Sequence, residues 1–217
     1  MKNYFIKTPW WLRKLYASYL WRVPTKEKIL YLTFDDGPHP AITPFVLEEL
    51  EKYQASATFF CIGKNVAAWP AVYRQVLDAG HKVGNHSYYH LNGWKTADEK
   101  YLEDIAAAAR YIDSALFRPP YGRITSFQAK NLPAALNHEH AKVVMWDVLS
   151  ADFDVQLSPQ KCAEHVLFHA RPGSIVVFHD SEKAFPRLRE SLPMVLHFFA
   201  QQGYQFKNLG GIFQQPD

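Results

Sequence analysis

From Ile29 onward the chain alternates between short apolar runs and longer amphipathic stretches. The runs Ile29–Phe34, Thr58–Ile62, Lys82–His86, Ala115–Arg118, Lys142–Trp146, Ser174–Phe178 and Tyr204–Lys207 are rich in Val, Ile and Phe and lack strict polar alternation. That pattern predicts parallel strands buried on both faces. The stretches between them carry helix signals. Thr96 followed by Glu99 predicts a capping box for a helix running to about Asp113, and Ser158-Pro159 predicts an N-cap with proline in the first turn. Gly80, Gly173 and Gly203 stand where a helix should give way to a strand.

About seven strands alternating with helices predict a parallel α/β architecture, either an open doubly wound sheet or a distorted (β/α) barrel. Reactive residues decide between them. Asp35, Asp36, His86, Arg118, Asp147 and His179 each fall at or just after the end of a strand. Only a barrel brings the carboxyl ends of so many strands to one face, whereas an open sheet collects ligands at one switch point.

Residues 1–28 form a separate N-terminal segment, basic and aromatic, ahead of a body at 29–217. Lys7, Pro9, Arg13 and Lys14 interrupt its apolar runs before a secretory core or a membrane span could form, which predicts a cytoplasmic protein. Trp10, Trp11, Leu15 and Trp21 with nearby cations also suit peripheral membrane contact through residues 10–22. Packing of this segment on the domain as an extra helical layer is the favoured reading. The balance of 24 basic and 21 acidic residues gives a charge of +3, too little for a nucleic-acid footprint. Cys61 and Cys162 lie in apolar stretches without ligand spacing and are read as reduced core residues. The chain is expected to act as a monomer.

Four clusters carry chemistry. Asp35 and Asp36 close an apolar strand, where adjacent carboxylates need a cation or an arginine, although Asp-Asp-Gly-Pro is also good turn composition. His86 and His90, four apart, fit one face of a helical turn and can share one ion. With Asp36 they supply three protein ligands and leave coordination open. The mixed nitrogen and oxygen donors suit Zn²⁺ first, then Co²⁺, Ni²⁺ or Fe²⁺. Arg118 is a natural partner for the carboxylate that does not bind the ion, and the two prolines after it present the Tyr121 N–H to a developing oxyanion. His179 ends another strand and can deliver a proton to a leaving amine.

Thr33-Phe34-Asp35-Asp36-Gly37, His86-Ser87-x-x-His90, Arg118-x-Pro-Tyr121 and His179-Asp180, in this order, resemble the polysaccharide deacetylases of carbohydrate esterase family four. The likeness runs from about Ile29 to Lys207. It implies a distorted (β/α) barrel and hydrolysis of acetyl groups on an acetylated amino-sugar substrate, N-acetyl first. It also implies Asp35 as general base oriented by Arg118, Asp36, His86 and His90 as metal ligands, Tyr121 as oxyanion donor and His179 as general acid. Similar proteins deformylate a lipid-linked aminosugar or open other non-peptide amides, and a carbohydrate-binding relative without catalysis is a third class. One stretch departs from the family pattern. Where an Asp-x-x-Asp-Trp is common, with its first Asp tethering the acid histidine, this chain has Leu149-Ser150-Ala151-Asp152-Phe153. The tether of His179 then falls to Asp147, Asp152 or Asp180.

Overall fold

The computed structural model describes residues 4–212. In chain order the helices and strands are α1 (Trp10–Leu15), β1 (Ile29–Asp35), α2 (Ile42–Glu51), β2 (Thr58–Cys61), α3 (Gly63–Ala68), α4 (Pro70–Asp78), β3 (Lys82–Asn85), α5 (Asp98–Ala109), β4 (Leu116–Phe117), α6 (Ser126–Leu136), β5 (Lys142–Val143), β6 (Val148–Leu149), α7 (Pro159–His169), β7 (Ile175–His179), α8 (Phe185–Gln201) and β8 (Gln205–Phe206). All ladders are parallel, in the order β5-β4-β3-β2-β1-β7-β6, with β8 added beside the start of β1. The sheet curls into a distorted barrel.

Side-chain alternation along the central strands sorts residues between two cores. Leu30, Leu32 and Phe34 of β1, with Val176 and Phe178 of β7, face the helices and pack with Val46, Leu192, Val195 and Leu196. Phe34 stacks between Phe59 and Phe178, at ring centroid distances of 5.0 and 6.1 Å. Ile29 and Tyr31, with Phe60 and Ile175, fill a second cluster. Continuing that period of two puts Thr33 and Asp35 on the interior face of β1, and Val177 and His179 on the interior face of β7. The register pairs Asp35 with His179 directly. Gly84 of β3 makes room inside the barrel, since a Cβ there would lie 2.4 Å from the Phe60 ring.

The predicted strand Lys142–Trp146 is a strand only at its start, and a further strand that the pattern did not predict follows it. β5 ends at Val143, and β6 begins at Val148 on the opposite side of the sheet. Residues 144–147 cross the gap between the edges, where the N-terminal segment pairs with them. Leu20 bridges Val144 in parallel and Lys7 bridges Val148 in antiparallel. Leu20 N–H donates to the Val143 carbonyl at 2.9 Å, and Leu149 N–H donates to the Ile6 carbonyl at 2.9 Å. The segment is therefore largely extended backbone capping two bare edges, with one short helix between.

One of the two expected helix caps is absent and the other is present. Thr96 makes no capping box: its hydroxyl donates to the Asn92 carbonyl, and α5 begins after Ala97 without a side-chain cap. The capping box is at α6, where Thr125 and Gln128 satisfy each other's backbone N–H. Ser158 caps α7 by accepting from Lys161 N–H. Gly80, Gly173 and Gly203 all have positive φ, at 78°, 82° and 77°. Cys61 and Cys162 are both buried.

Candidate active site

Arg118 anchors the site from within the barrel. Its side chain is fully buried, and its guanidinium lies 4.1 Å over the Phe60 ring. Nη1 donates to Asp35 Oδ1 at 2.6 Å and to Thr33 Oγ1 at 2.7 Å, and Nη2 donates to the Met145 carbonyl at 3.0 Å. Burial lowers its pKa below the ordinary arginine value, and the Asp35 carboxylate opposes that shift. Such a buried pair holds only while both members are present. Asp35 is thereby fixed in direction.

Asp36 turns away from its neighbour because its backbone is left-handed, with φ 80°. The turn is clamped by Asp180, which accepts from Gly37 N–H at 3.0 Å and from the Thr43 hydroxyl at 2.5 Å. A Cβ on Gly37 would meet Asp180 Oδ2 at 2.1 Å, so only glycine fits beside that carboxylate.

His86 and His90 reach Asp36 from a loop. The expected helical turn is absent: residues 86–90 are irregular, and Ser87 and His90 adopt positive φ of 62° and 57°. Asp104 of α5 holds this loop by accepting from the backbone N–H groups of Tyr88 and Tyr89. His86 Nδ1 lies 2.7 Å from the Arg118 carbonyl, which must receive a proton from it, so Nε2 keeps its lone pair. Burial, reinforced by the His90 ring, pulls His86 down to about 3, with Asp36 opposing. Burial lowers His90 as well. Both rings are neutral, as ligands must be.

Asp36 Oδ1 lies 3.7 Å from His86 Nε2 and 3.3 Å from His90 Nε2, yet it is buried and takes no hydrogen bond. One ligand atom from each of the three residues falls within 4.8 Å of the others. A buried oxygen without a donor, facing two neutral imidazoles, is a donor set for a cation.

His179 faces them from β7. Its Nδ1 lies 2.7 Å from Asp152 Oδ1, and its backbone N–H donates to Asp152 Oδ2 at 2.8 Å. Burial alone would lower this imidazole, but the Asp152 charge and hydrogen bond, followed by Asp36 and Asp35, raise it to about 9. Of the three aspartates considered for the tether, the structure selects Asp152. Asp180 is occupied at Gly37 and Thr43. Asp147 lies elsewhere, accepting from Lys7 at 2.6 Å, Arg13 at 3.4 Å and the Ser174 hydroxyl at 2.6 Å.

These groups line a cleft of about 640 Å³ walled by Tyr4, Trp94, Tyr121, Trp146 and Phe153. Tyr121 is left-handed, at φ 59° and ψ 9°, and its ring meets the His90 ring edge-on at 4.7 Å. Asp35, Asp36, His86, His90, Tyr121 and His179 reach this cleft and Arg118 supports it, whereas Asp147, expected at the same face, does not. Sequence reading missed Asp104 and Thr43. Their signal was weak, a polar residue on the inner face of an amphipathic helix.

Comparison with known proteins agrees with this geometry. The polysaccharide deacetylase family pattern matches residues 22–138, more than half of the chain. A Bacillus cereus peptidoglycan-N-acetylglucosamine deacetylase is 36% identical over 192 residues, spanning 86% of this chain and 88% of the relative. An Azorhizobium caulinodans chitooligosaccharide deacetylase is 35% identical over 166 residues, 73% of this chain and 77% of the relative. The crystal structure of a peptidoglycan N-acetylglucosamine deacetylase in complex with an N-oxidanyl-benzamide superposes with a TM-score of 0.84 at 28% identity. It covers 96% of this chain and 98% of its own. Fold and site together define a barrel hydrolase acting on non-peptide carbon–nitrogen bonds. The chain belongs to the polysaccharide deacetylase family.

Proposed function

We propose that this enzyme removes N-acetyl groups from the amino sugars of a poly- or oligosaccharide, with one divalent cation held by Asp36, His86 and His90. The observation that carries the reading is the pairing of two opposite devices around one empty-handed carboxylate. Asp35 is held in place by Arg118, and His179 is kept protonated by Asp152, in the same cleft as the unsatisfied Asp36 oxygen. When bound, the cation would polarise the acetyl carbonyl and acidify a water, with Zn²⁺ the first choice for these donors.

The chain's own residues supply the proton transfers. Asp35 accepts a proton from the attacking water, Arg118 fixing the carboxylate in place. The Tyr121 backbone N–H donates to the carbonyl oxygen as it gains charge. His179 holds its Nδ1 proton toward Asp152, so Nε2–H is the proton given to the departing nitrogen. The aromatic walls offer faces for sugar rings, and the relatives named above act on peptidoglycan and chitooligosaccharides.

The test is hydrolysis of N-acetylated oligosaccharides and glycan strands with added Zn²⁺ or Co²⁺, following free amine release, with N-formylated analogues in parallel. Preference for the acetylated set supports the proposal; cleavage of the formylated set alone overturns it. Metal content measured after purification without chelator should fall sharply in His90→Ala. Full retention in both His86→Ala and His90→Ala would remove the site.

A further inference from the structure

Helix α1 buries none of its residues, although it contains two tryptophans and two leucines. Trp10, Trp11 and Leu15 are 68%, 50% and 67% exposed. At about 100° per residue, Trp10, Lys14, Trp11 and Leu15 occupy one continuous arc of the helix, while Leu12 and Arg13 take the other side. Leu12 packs on the barrel and Arg13 pairs with Asp147, so the body of the domain fixes which arc faces out.

The segment's own charged side chains are of one sign, although Lys7 and Arg13 share the buried Asp147 carboxylate. Residues 4–26 include Lys7, Arg13, Lys14, Arg22 and Lys26 and no acidic residue. Beside α1 lies a hollow of about 690 Å³ lined by Tyr16, Tyr19, Ser18, Ser126, Lys130 and Lys142, among others, and by no carboxylate. Exposed indole rings with interspersed lysine are the chemistry of a bilayer interface, and a basic hollow lined by hydroxyls suits a phosphate headgroup.

From this combination we infer that α1 and the adjoining hollow form a docking surface for an anionic lipid bilayer. Trp10, Trp11 and Leu15 enter the interface, while Lys14, Lys130 and Lys142 meet lipid phosphates. The catalytic cleft points elsewhere. Arg13 reaches Asp147, which is held by Ser174 at the amino end of β7, whereas His179 stands at the carboxyl end. These ends are separated by roughly 16 Å of strand. A docked enzyme keeps its cleft open to a glycan in water.

Flotation of the full chain with vesicles tests this directly. The protein should float with vesicles containing phosphatidylglycerol and stay behind with pure phosphatidylcholine, and added salt should release it. Trp10→Ser/Trp11→Ser and Lys130→Glu/Lys142→Glu should each weaken flotation about tenfold or more. Melting temperature and hydrolysis of a soluble acetylated oligosaccharide should be kept in both variants. Failure to float with anionic vesicles overturns the inference, as does equal flotation with neutral ones or unchanged flotation of both variants. A dimer that the Trp variant dissociates, without vesicle binding, would assign the arc to a second copy of the chain.

Discussion

Asp35 and Asp36 are adjacent and chemically identical, and the backbone separates their roles. Asp35 ends a strand with the interior parity of Thr33, while Asp36 leaves it at φ 80°. Asp35→Asn should lower kcat roughly 10²–10⁴-fold while metal content is retained, measured by kinetics beside elemental analysis. The same change leaves the buried Arg118 with an acceptor but no counter-charge, so stability should fall by about 1–3 kcal/mol in denaturant titration. His179 gives a pH prediction. Its folded value, about 9, is above the ordinary histidine value, so the tether stabilises the fold at acid and neutral pH and that gain is lost as pH rises through about 9. Asp152→Asn should move the alkaline limb of kcat/KM to lower pH, because the acid form is lost earlier. An unmoved limb would mean that His179 is not the acid. At this scale the sequence was readily legible, since strand ends announced the reactive residues. The tether was not, because Leu149 holds the position where the family carries its tethering Asp, and Asp152 reaches His179 only through the three-dimensional course of residues 150–152, with Ala151 at φ 62°.

Elements fix what side chains alone cannot. Spacing showed that His86 and His90 could meet one ion, but not that a left-handed loop, not a helical turn, brings them together. That loop is held by α5, whose Asp104 collects two of its N–H groups and is not one of the three candidate ligands. Asp104→Ala should weaken Zn²⁺ affinity about 10–100-fold in a chelator competition titration, a typical cost for losing a supporting partner. The far-UV spectrum should stay close to wild type. Wild-type affinity would show that the loop is held by other contacts. Strand positions were legible because strands buried on both faces are rich in apolar residues, and β1 is buried at all seven positions. The early end of the predicted strand Lys142–Trp146 at Val143 was hidden because the apolar run is continuous through Val144 and Met145. The Thr96 cap failed because its hydroxyl found a closer carbonyl at Asn92.

At the scale of the molecule, the barrel is incomplete by its own strands and is finished by residues that the hydrophobic pattern set apart. No periodicity in residues 4–22 marks them as edge-pairing backbone, because such pairing uses main-chain groups and leaves little side-chain signature. The one legible trace was Asp147, which had been a candidate for catalysis. It is fully buried, and it gathers Lys7, Arg13 and Ser174 at the amino end of β7, away from the cleft. Asp147→Asn should therefore unfasten the N-terminal segment and spare the chemistry. Lys7 and Arg13 keep partial access to water, with side-chain exposures of 33% and 25%, so solvent takes over part of the lost interaction. The cost should be about 1–3 kcal/mol, and each kcal/mol lowers the melting temperature of a chain this size by roughly 2–4 °C. The alkaline limb of kcat/KM should not move. Asp152→Asn should show a shifted limb, although the two aspartates are near neighbours in sequence. A shifted limb in Asp147→Asn would place that residue back in the catalytic network and separate it from the closure of the barrel.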